Sequence, residues 1–390
     1  MRSALLIIIM LGAVGSAPAA ADALSDARKL ISEGNYIEAE VALSQAAENA
    51  DLAPEAYYVW YQSLRERGQA ERAAFKLETA AELARDRADW WLELGRYLND
   101  LGQVDEAMQK YVRALTIDPE FRQVHCALAR ALLSRGMVAE AEAQLREALR
   151  QEPGSDETRA ELALLLLSTD RALDAFKVVQ EGLRRHPDSP GLHLTLGQIY
   201  EQIDEPSKAL QSYEAAAAAQ PRDPLAHLRI GRVHLAKGDS QSALASYRRA
   251  MRVAPRDPRP PIAIAWLHLG TPQRPATALQ LAKKATRLGP RSTEAMVVHG
   301  WALHSLGRDG EAIEALAQAA GEVPPSPEAM YRLGLIYRAR GEQQKAIQWA
   351  QQALEHGKSS QVEAPASKLL AELAAEKPAL DPQTPEAAPE

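Results

Sequence analysis

Small, large and polar residues return along this chain every 34 positions. Alanine recurs at 39, 73, 107, 141, 175, 209 and 243, then, after one extra residue, at 278, 312 and 346. Prolines stand at 119, 153, 187, 221 and 255 on the same spacing, followed by Pro290 and Pro324. A fixed period of this length is what stacked supersecondary units leave in a sequence. Counted from Ala88, the unit holds Trp91, Leu94, Gly95, Leu98, Gly102, Ala107, Tyr111, Ala114 and Pro119 at positions 4, 7, 8, 11, 15, 20, 24, 27 and 32. Steps of three, four and seven between apolar positions predict an amphipathic helix, and each unit contains two. Gly at 15 ends the first helix and Pro at 32 cannot continue the second. Small residues at 8 and 20 let the two helices approach, and the large ones at 4, 7, 11 and 24 fill the space beside them. A single pair cannot bury its apolar face, so the units must stack.

This pattern closely resembles the tetratricopeptide repeat, with its W-x2-L-G-x2-Y start, then Ala, then Phe or Tyr, then Pro. The resemblance covers about nine tenths of the chain. It implies an all-α fold: a right-handed α-solenoid of about ten helix-turn-helix units over 22–360. The units run 20–53, 54–87, 88–121, 122–155, 156–189, 190–223, 224–257, 258–292, 293–326 and 327–360. The second is aromatic, with Tyr57, Tyr58, Trp60 and Tyr61. The eighth carries Pro258, Pro260 and Pro261, and its Gly270 to Pro275 segment reads as a stiffened loop. A helix over 361–376 is expected to cap the open end of the array. The Pro-, Ala- and Glu-rich stretch 377–390 is expected to be disordered.

The first residues have another purpose. Arg2, an apolar run from Ala4 to Val14 and overlapping A-x-A sites ending at Ala19, Ala21 or Ala23 read as a signal peptide, taken as 1–21. The apolar run is short for a membrane anchor, which needs about 20 residues. Export, to a periplasm, is expected, without stable membrane insertion after cleavage. The single cysteine, Cys126, cannot form an internal disulfide. A net charge of -7 with both signs mixed along the chain argues against nucleic acid as a partner.

The resemblance places ligands on a concave face lined by the first helix of each unit, at positions 2, 5, 9 and 12. In the N-terminal half these positions are mixed, including Tyr58, Gln62, Arg65, Leu92, Arg96, Asn99, Cys126 and Arg130. In the C-terminal half they turn apolar and aromatic: Leu228, Arg232, Leu235, Ile262, Trp266, Leu269, Val297, Trp301, His304 and Tyr331. Trp266 and Trp301 share position 9 in adjacent units, and Trp, Tyr and Arg dominate binding hot spots. The candidate partner groove is therefore Leu228, Arg232, Leu235, Ile262, Trp266, Leu269, Val297, Trp301 and Tyr331, joined by Arg96 and Arg130. The alternative for the tryptophans is that other parts of the protein cover them. Relatives that grip an acidic C-terminal peptide place Lys at position 5 and Asn at position 9, a pair that these positions lack.

No HExxH motif, His–Cys cluster, phosphate loop or GxSxG elbow is present, so no catalytic residue, metal or cofactor is expected. His125, His193 and His227 share position 4 and read as wall residues. Cys126 reads as a small buried residue. The expected function is a non-catalytic exported scaffold that binds one or more proteins or peptides of a bacterial envelope complex, such as a polysaccharide-secretion, pilus or outer-membrane system. A carbohydrate-binding module using Trp266 and Trp301, or an accessory subunit that activates an envelope enzyme, are the alternatives.

Overall fold

The computed structural model describes residues 20–270, 274–358 and 360–375. The leader up to residue 19, residues 271–273 of the stiffened loop of the eighth unit and the acidic C-terminal stretch lie outside the described residues.

Among the described residues there are twenty-one α-helices and no strand, and the chain divides into two compact units at Arg185/His186. In unit 1 the first helices of the hairpins are α1 (Ala20–Ser32), α3 (Ala53–Glu66), α5 (Ala88–Asp100), α7 (Arg122–Ser134) and α9 (Asp156–Ser168). Their second helices are α2 (Tyr36–Ala47), α4 (Ala70–Leu83), α6 (Val104–Ile117), α8 (Val138–Gln151) and α10 (Ala172–Arg185). In unit 2 the first helices are α11 (Pro190–Gln202), α13 (Pro224–Ala236), α15 (Arg259–Leu269), α17 (Thr293–His304) and α19 (Pro327–Ala339). They pair with α12 (Pro206–Ala219), α14 (Ser240–Val253), α16 (Pro275–Leu288), α18 (Asp309–Ala320) and α20 (Gln343–His356), and α21 (Glu363–Ala375) closes the series. Within each unit the second helix of one hairpin packs on the first helix of the next, and neighbouring first helices also touch. Each unit is thus an α-solenoid segment with a face built from first helices.

The hairpins close through an exchange of volume between positions 8 and 24. A Cβ on Gly95, Gly197 or Gly231 would overlap the ring of Tyr111, Tyr213 or Tyr247. A Cβ on Gly300 would lie 2.6 Å from Leu316 Cγ. Where position 8 is Ala129 or Ala163, position 24 shrinks to Leu145 or Val179, all four buried. Overpacking such a site by one methyl costs about 1–3 kcal/mol.

Position 15 adopts the left-handed conformation that ends the first helix: Gly102 has φ +81° and Gly238 +79°. Asp170 and Asp204 take the same conformation with φ 57°, which a short polar side chain tolerates. Position 34 caps the next helix, as where Ser155 Oγ accepts from Thr158 N at 3.3 Å and Asp223 from Leu225 N at 2.8 Å. The cap at the far end is α21, whose Leu369 and Leu373 bury against Ala346 and Ala350. At the near end Ala23, Leu24 and Ala27 of α1 pack with Leu43, Ala46, Ala56 and Val59.

Candidate functional site

The first-helix face of unit 1 carries a cleft of about 590 Å3 over α3, α5 and the start of α7, where Tyr61, Arg65, Glu93, Arg96, Tyr97 and Phe121 come together. At its floor is one carboxylate with three donors. Tyr58 and Tyr61 donate their hydroxyls to Glu93 at 2.7 and 2.9 Å, and Arg65 donates to Tyr61 Oη at 2.9 Å and to Glu93 at 3.3 Å. Burial, reinforced by the anionic Glu93, pushes the Tyr58 phenol up to about 12. Burial raises Tyr61 further. Both phenols therefore stay protonated and act as donors. The aromatic rings lock to one another: Tyr58 stacks on Trp90 at 4.7 Å, and Tyr97 meets Tyr61 edge-on at 5.7 Å. On the rim, Arg96 is exposed and makes no hydrogen bond or ion pair among the described residues. Arg130 is also exposed but is held by Glu161 and by Glu157 at 3.3 Å.

In unit 2 the two tryptophans share one guanidinium. The Arg332 guanidinium lies 4.3 Å from the ring centroid of Trp266 and 4.5 Å from that of Trp301. Glu328, one turn earlier on α19, accepts from Arg332 Nε at 2.7 Å. Two indole faces and a carboxylate thus hold a guanidinium whose side chain is only 17% exposed. Trp301 also contacts the His304 ring at 4.9 Å, and His304 Nδ1 is 2.7 Å from Asp309.

The remaining expected groove residues divide. Ile262 and Val297 do not line the surface: they are 6% and 3% exposed and belong to the core. Leu92 and Cys126, also at position 5, are buried likewise. At these four repeats position 5 turns toward the neighbouring first helix, which covers it. Burial pushes the Cys126 thiol up and away from reactivity, and its sulfur contacts Thr158 Oγ1 at 3.5 Å. Trp266, Leu269, Trp301 and Tyr331 are half-buried against one core cluster. Leu228 is half-buried beside Tyr247 and Ile264, while Leu235 and Arg232 are exposed.

The position that organises both faces is one the sequence reading passed over. Position 6 lies over the preceding first helix, and four of its occupants are charged: Glu93, Glu161, Arg229 and Arg332. Glu93 takes the donors of α3, Glu161 takes Arg130 of α7, and Arg332 reaches back to the tryptophans of α17 and α15. Four charges in a slot that is uncharged in the other repeats were the available signal. Position 4 also does more than wall the hairpin. His125 Nε2 lies 3.0 Å from the Pro119 carbonyl, Arg159 donates to that of Pro153 at 2.8 Å, and His193 to that of Pro187 at 2.7 Å. Each bond satisfies a carbonyl that the position-32 proline leaves at the end of a second helix.

Among the described residues no group of three His, Cys, Asp or Glu side chains could hold a metal ion, and no helix is long and apolar enough to cross a membrane.

Comparison with known proteins agrees with this geometry. One tetratricopeptide repeat family model matches residues 58–120, 194–258, 263–327 and 311–362, and a second matches 98–165 and 132–199. No curated protein matches the sequence. Among solved structures, yeast Tom70 is 13% identical over 91% of this chain and 96% of its own, with a TM-score of 0.55. A tetratricopeptide repeat protein from Parabacteroides merdae is 17% identical over 65% of this chain and 99% of its own, with a TM-score of 0.50. These identities speak for the fold alone. With its register, its hairpin packing and the matched segments in agreement, the chain belongs to the tetratricopeptide repeat family.

Proposed function

We propose that this protein is an exported scaffold of the cell envelope that holds segments of partner proteins against its first-helix faces. Arrays of this family serve as protein-interaction scaffolds, and the finer reading adds the compartment and the face. The observation that carries it is the unit 1 cleft. A half-buried aromatic wall at Tyr97, braced from behind by the fully buried Tyr61, a fixed polar floor at Glu93 and, at Arg96, a guanidinium with no partner among the described residues are what a protein hot spot requires. The leader supports export. Cleavage after Ala21 leaves Ala23, Leu24 and Ala27 to complete the first core cluster, whereas cleavage after Ala23 removes one of its members. A sugar stacking on Trp266 or Trp301 would have to displace Arg332, so the carbohydrate reading gains nothing from this arrangement.

The test is mild cross-linking in the envelope of the native host, followed by mass spectrometry of the purified protein and sequencing of its N-terminus. A specific partner that is lost from Arg65→Ala/Arg96→Ala, on a chain beginning at Asp22, is the expected result. A partner retained in that variant moves the site away from the cleft. A cytosolic chain that keeps its leader, or one with no protein partner, rejects the envelope scaffold.

A further inference from the structure

The second-helix face of unit 1 is apolar in a way that the second helices of unit 2 are not. Ile37 and Val41 of α2 are 82% and 57% exposed, and Phe75 of α4 is 64% exposed. Val41 and Phe75 both stand at position 22, where the other repeats place Gln, Ala, Lys or Glu. Among the described residues no second helix of unit 2 exposes a large apolar side chain. Beside the Ile37–Val41 ridge lies a groove of about 500 Å3, lined by that ridge, Ser44, Trp60 of α3, Arg67 and Arg72. Its walls are held in place: Glu40 of α2 accepts from Arg67 at 2.7 Å and from Arg72 at 2.9 Å. Lys76 joins the groove to Phe75, its ammonium lying 3.6 Å from the Trp60 ring centroid and 5.8 Å from that of Phe75. It makes no ion pair among the described residues. Large apolar side chains gathered on one face in this way mark an interaction surface.

We propose that a second copy of this chain covers this patch, each copy seating its Ile37–Val41 ridge in the groove of the other about a two-fold axis. Three features select this occupant. The patch carries a ridge and a groove side by side, so it is complementary to itself, and a two-fold contact needs that self-complementarity. Ile37 and Val41 are one helical turn apart, the spacing of a ridge that packs into the groove between helices of a neighbour. The rim carries both signs of charge: Glu38 and Glu71 are exposed beside the apolar residues, and Arg72 and Lys76 stand across from Glu40 and over Trp60. A second copy meets each sign with its own opposite, whereas the exposed carboxylates disfavour the anionic surface of a bilayer. The groove is already braced by Glu40, so little ordering is lost when the copies meet.

The experiment is sedimentation equilibrium of the protein purified from its native host, over a wide range of concentrations. The wild-type chain is expected to pass from monomer to dimer as concentration rises, with no larger species. In Ile37→Arg/Val41→Arg the dissociation constant should rise at least about a hundredfold, because each copy then carries two charges into an apolar groove. Ile37→Ala/Val41→Ala adds no charge and should weaken the dimer about tenfold. Leu173→Arg alters an equally exposed leucine on α10 and should leave the dimer as it is. All four side chains point to water in the monomer, and the melting curves report on folding. A wild-type chain that stays monomeric overturns the proposal, and if Ile37→Arg/Val41→Arg also loses a partner cross-linked in the envelope, a different protein covers the patch. A dimer that survives both ridge variants has its contact elsewhere and overturns it too. Open-ended assemblies in place of a dimer overturn the two-fold pairing.

Discussion

The same slot of the repeat is used in opposite ways by the two units. In unit 1, position 6 is acidic where it is charged, and arginines from the preceding first helix come to it: Arg65 to Glu93 and Arg130 to Glu161. In unit 2 it is basic. Arg332 satisfies itself on two tryptophan rings and Glu328, while Arg232 takes Glu201 and Arg229 has no ion-pair partner among the described residues. The difference teaches that an aromatic-looking groove and an available one are not the same. The tryptophans of unit 2 are the larger apolar surfaces, yet their own arginine occupies them. The tyrosines of unit 1 look mixed in sequence, yet they frame an open cleft.

The largest effect should come from breaking the unit 1 network at its centre. Glu93→Ala removes the acceptor of Tyr61, which is fully buried, and of Tyr58. Leaving these donors unsatisfied should cost about 2–3 kcal/mol. Unfolding of a repeat array is not a single transition, so the measurement is hydrogen exchange. Protection should fall in α3 and α5 and stay unchanged in α17 and α19.

Arg332→Ala tests the other side. It strips a guanidinium from two indole faces and should cost roughly 1–2 kcal/mol. Tryptophan emission should shift as Trp266 and Trp301 gain contact with water, and iodide quenching should rise. If quenching is unchanged, something other than Arg332 shields the rings.

Alkaline titration separates the units without mutation. The Tyr58 phenol is raised from its usual 10.0 to about 12 by burial and by Glu93. A raised folded pKa means that its contribution to stability is complete below pH 10 and is lost as pH rises through about 12. Burial and Glu201 raise Tyr213 of unit 2 further still. Tyr58 should therefore ionise before Tyr213, and in Glu93→Gln the Tyr58 step should move down toward 10.0.

The smallest effect belongs to the exposed pair. Glu161→Gln breaks the contact with Arg130, whose side chain is 54% exposed, and should cost under about 1 kcal/mol, shrinking in high salt. A larger loss would mean that Arg130 has a structural duty the other exposed arginines lack.

Much of this could be read before any coordinates. Position 20 repeats as alanine and position 8 stays small in nine repeats, Tyr61 being the exception, because the two helices of a hairpin are neighbours in the chain and must fit each other. Gly102 and Gly238 mark helix ends because a backbone with φ near +80° admits little else. The candidate site was less legible. The resemblance places Ile262 and Val297 on the concave face, and the structure buries them in the core. Position 6 was missed because its partners are one or two repeats away: Tyr61 and Glu93 are separated by 32 residues, Arg130 and Glu161 by 31.

What the sequence by itself determined was the hairpin, its ends and its number of copies, since these follow from periodicity, turn residues and volumes exchanged over less than one repeat. What only the tertiary structure decided was which side chains on the first-helix faces find one another. A guanidinium reaches several ångströms from its backbone and takes whichever carboxylate or ring lies nearest in space. That is why Trp266 and Trp301 are occupied by Arg332 while Arg96 and Arg229 remain without an ion-pair partner among the described residues.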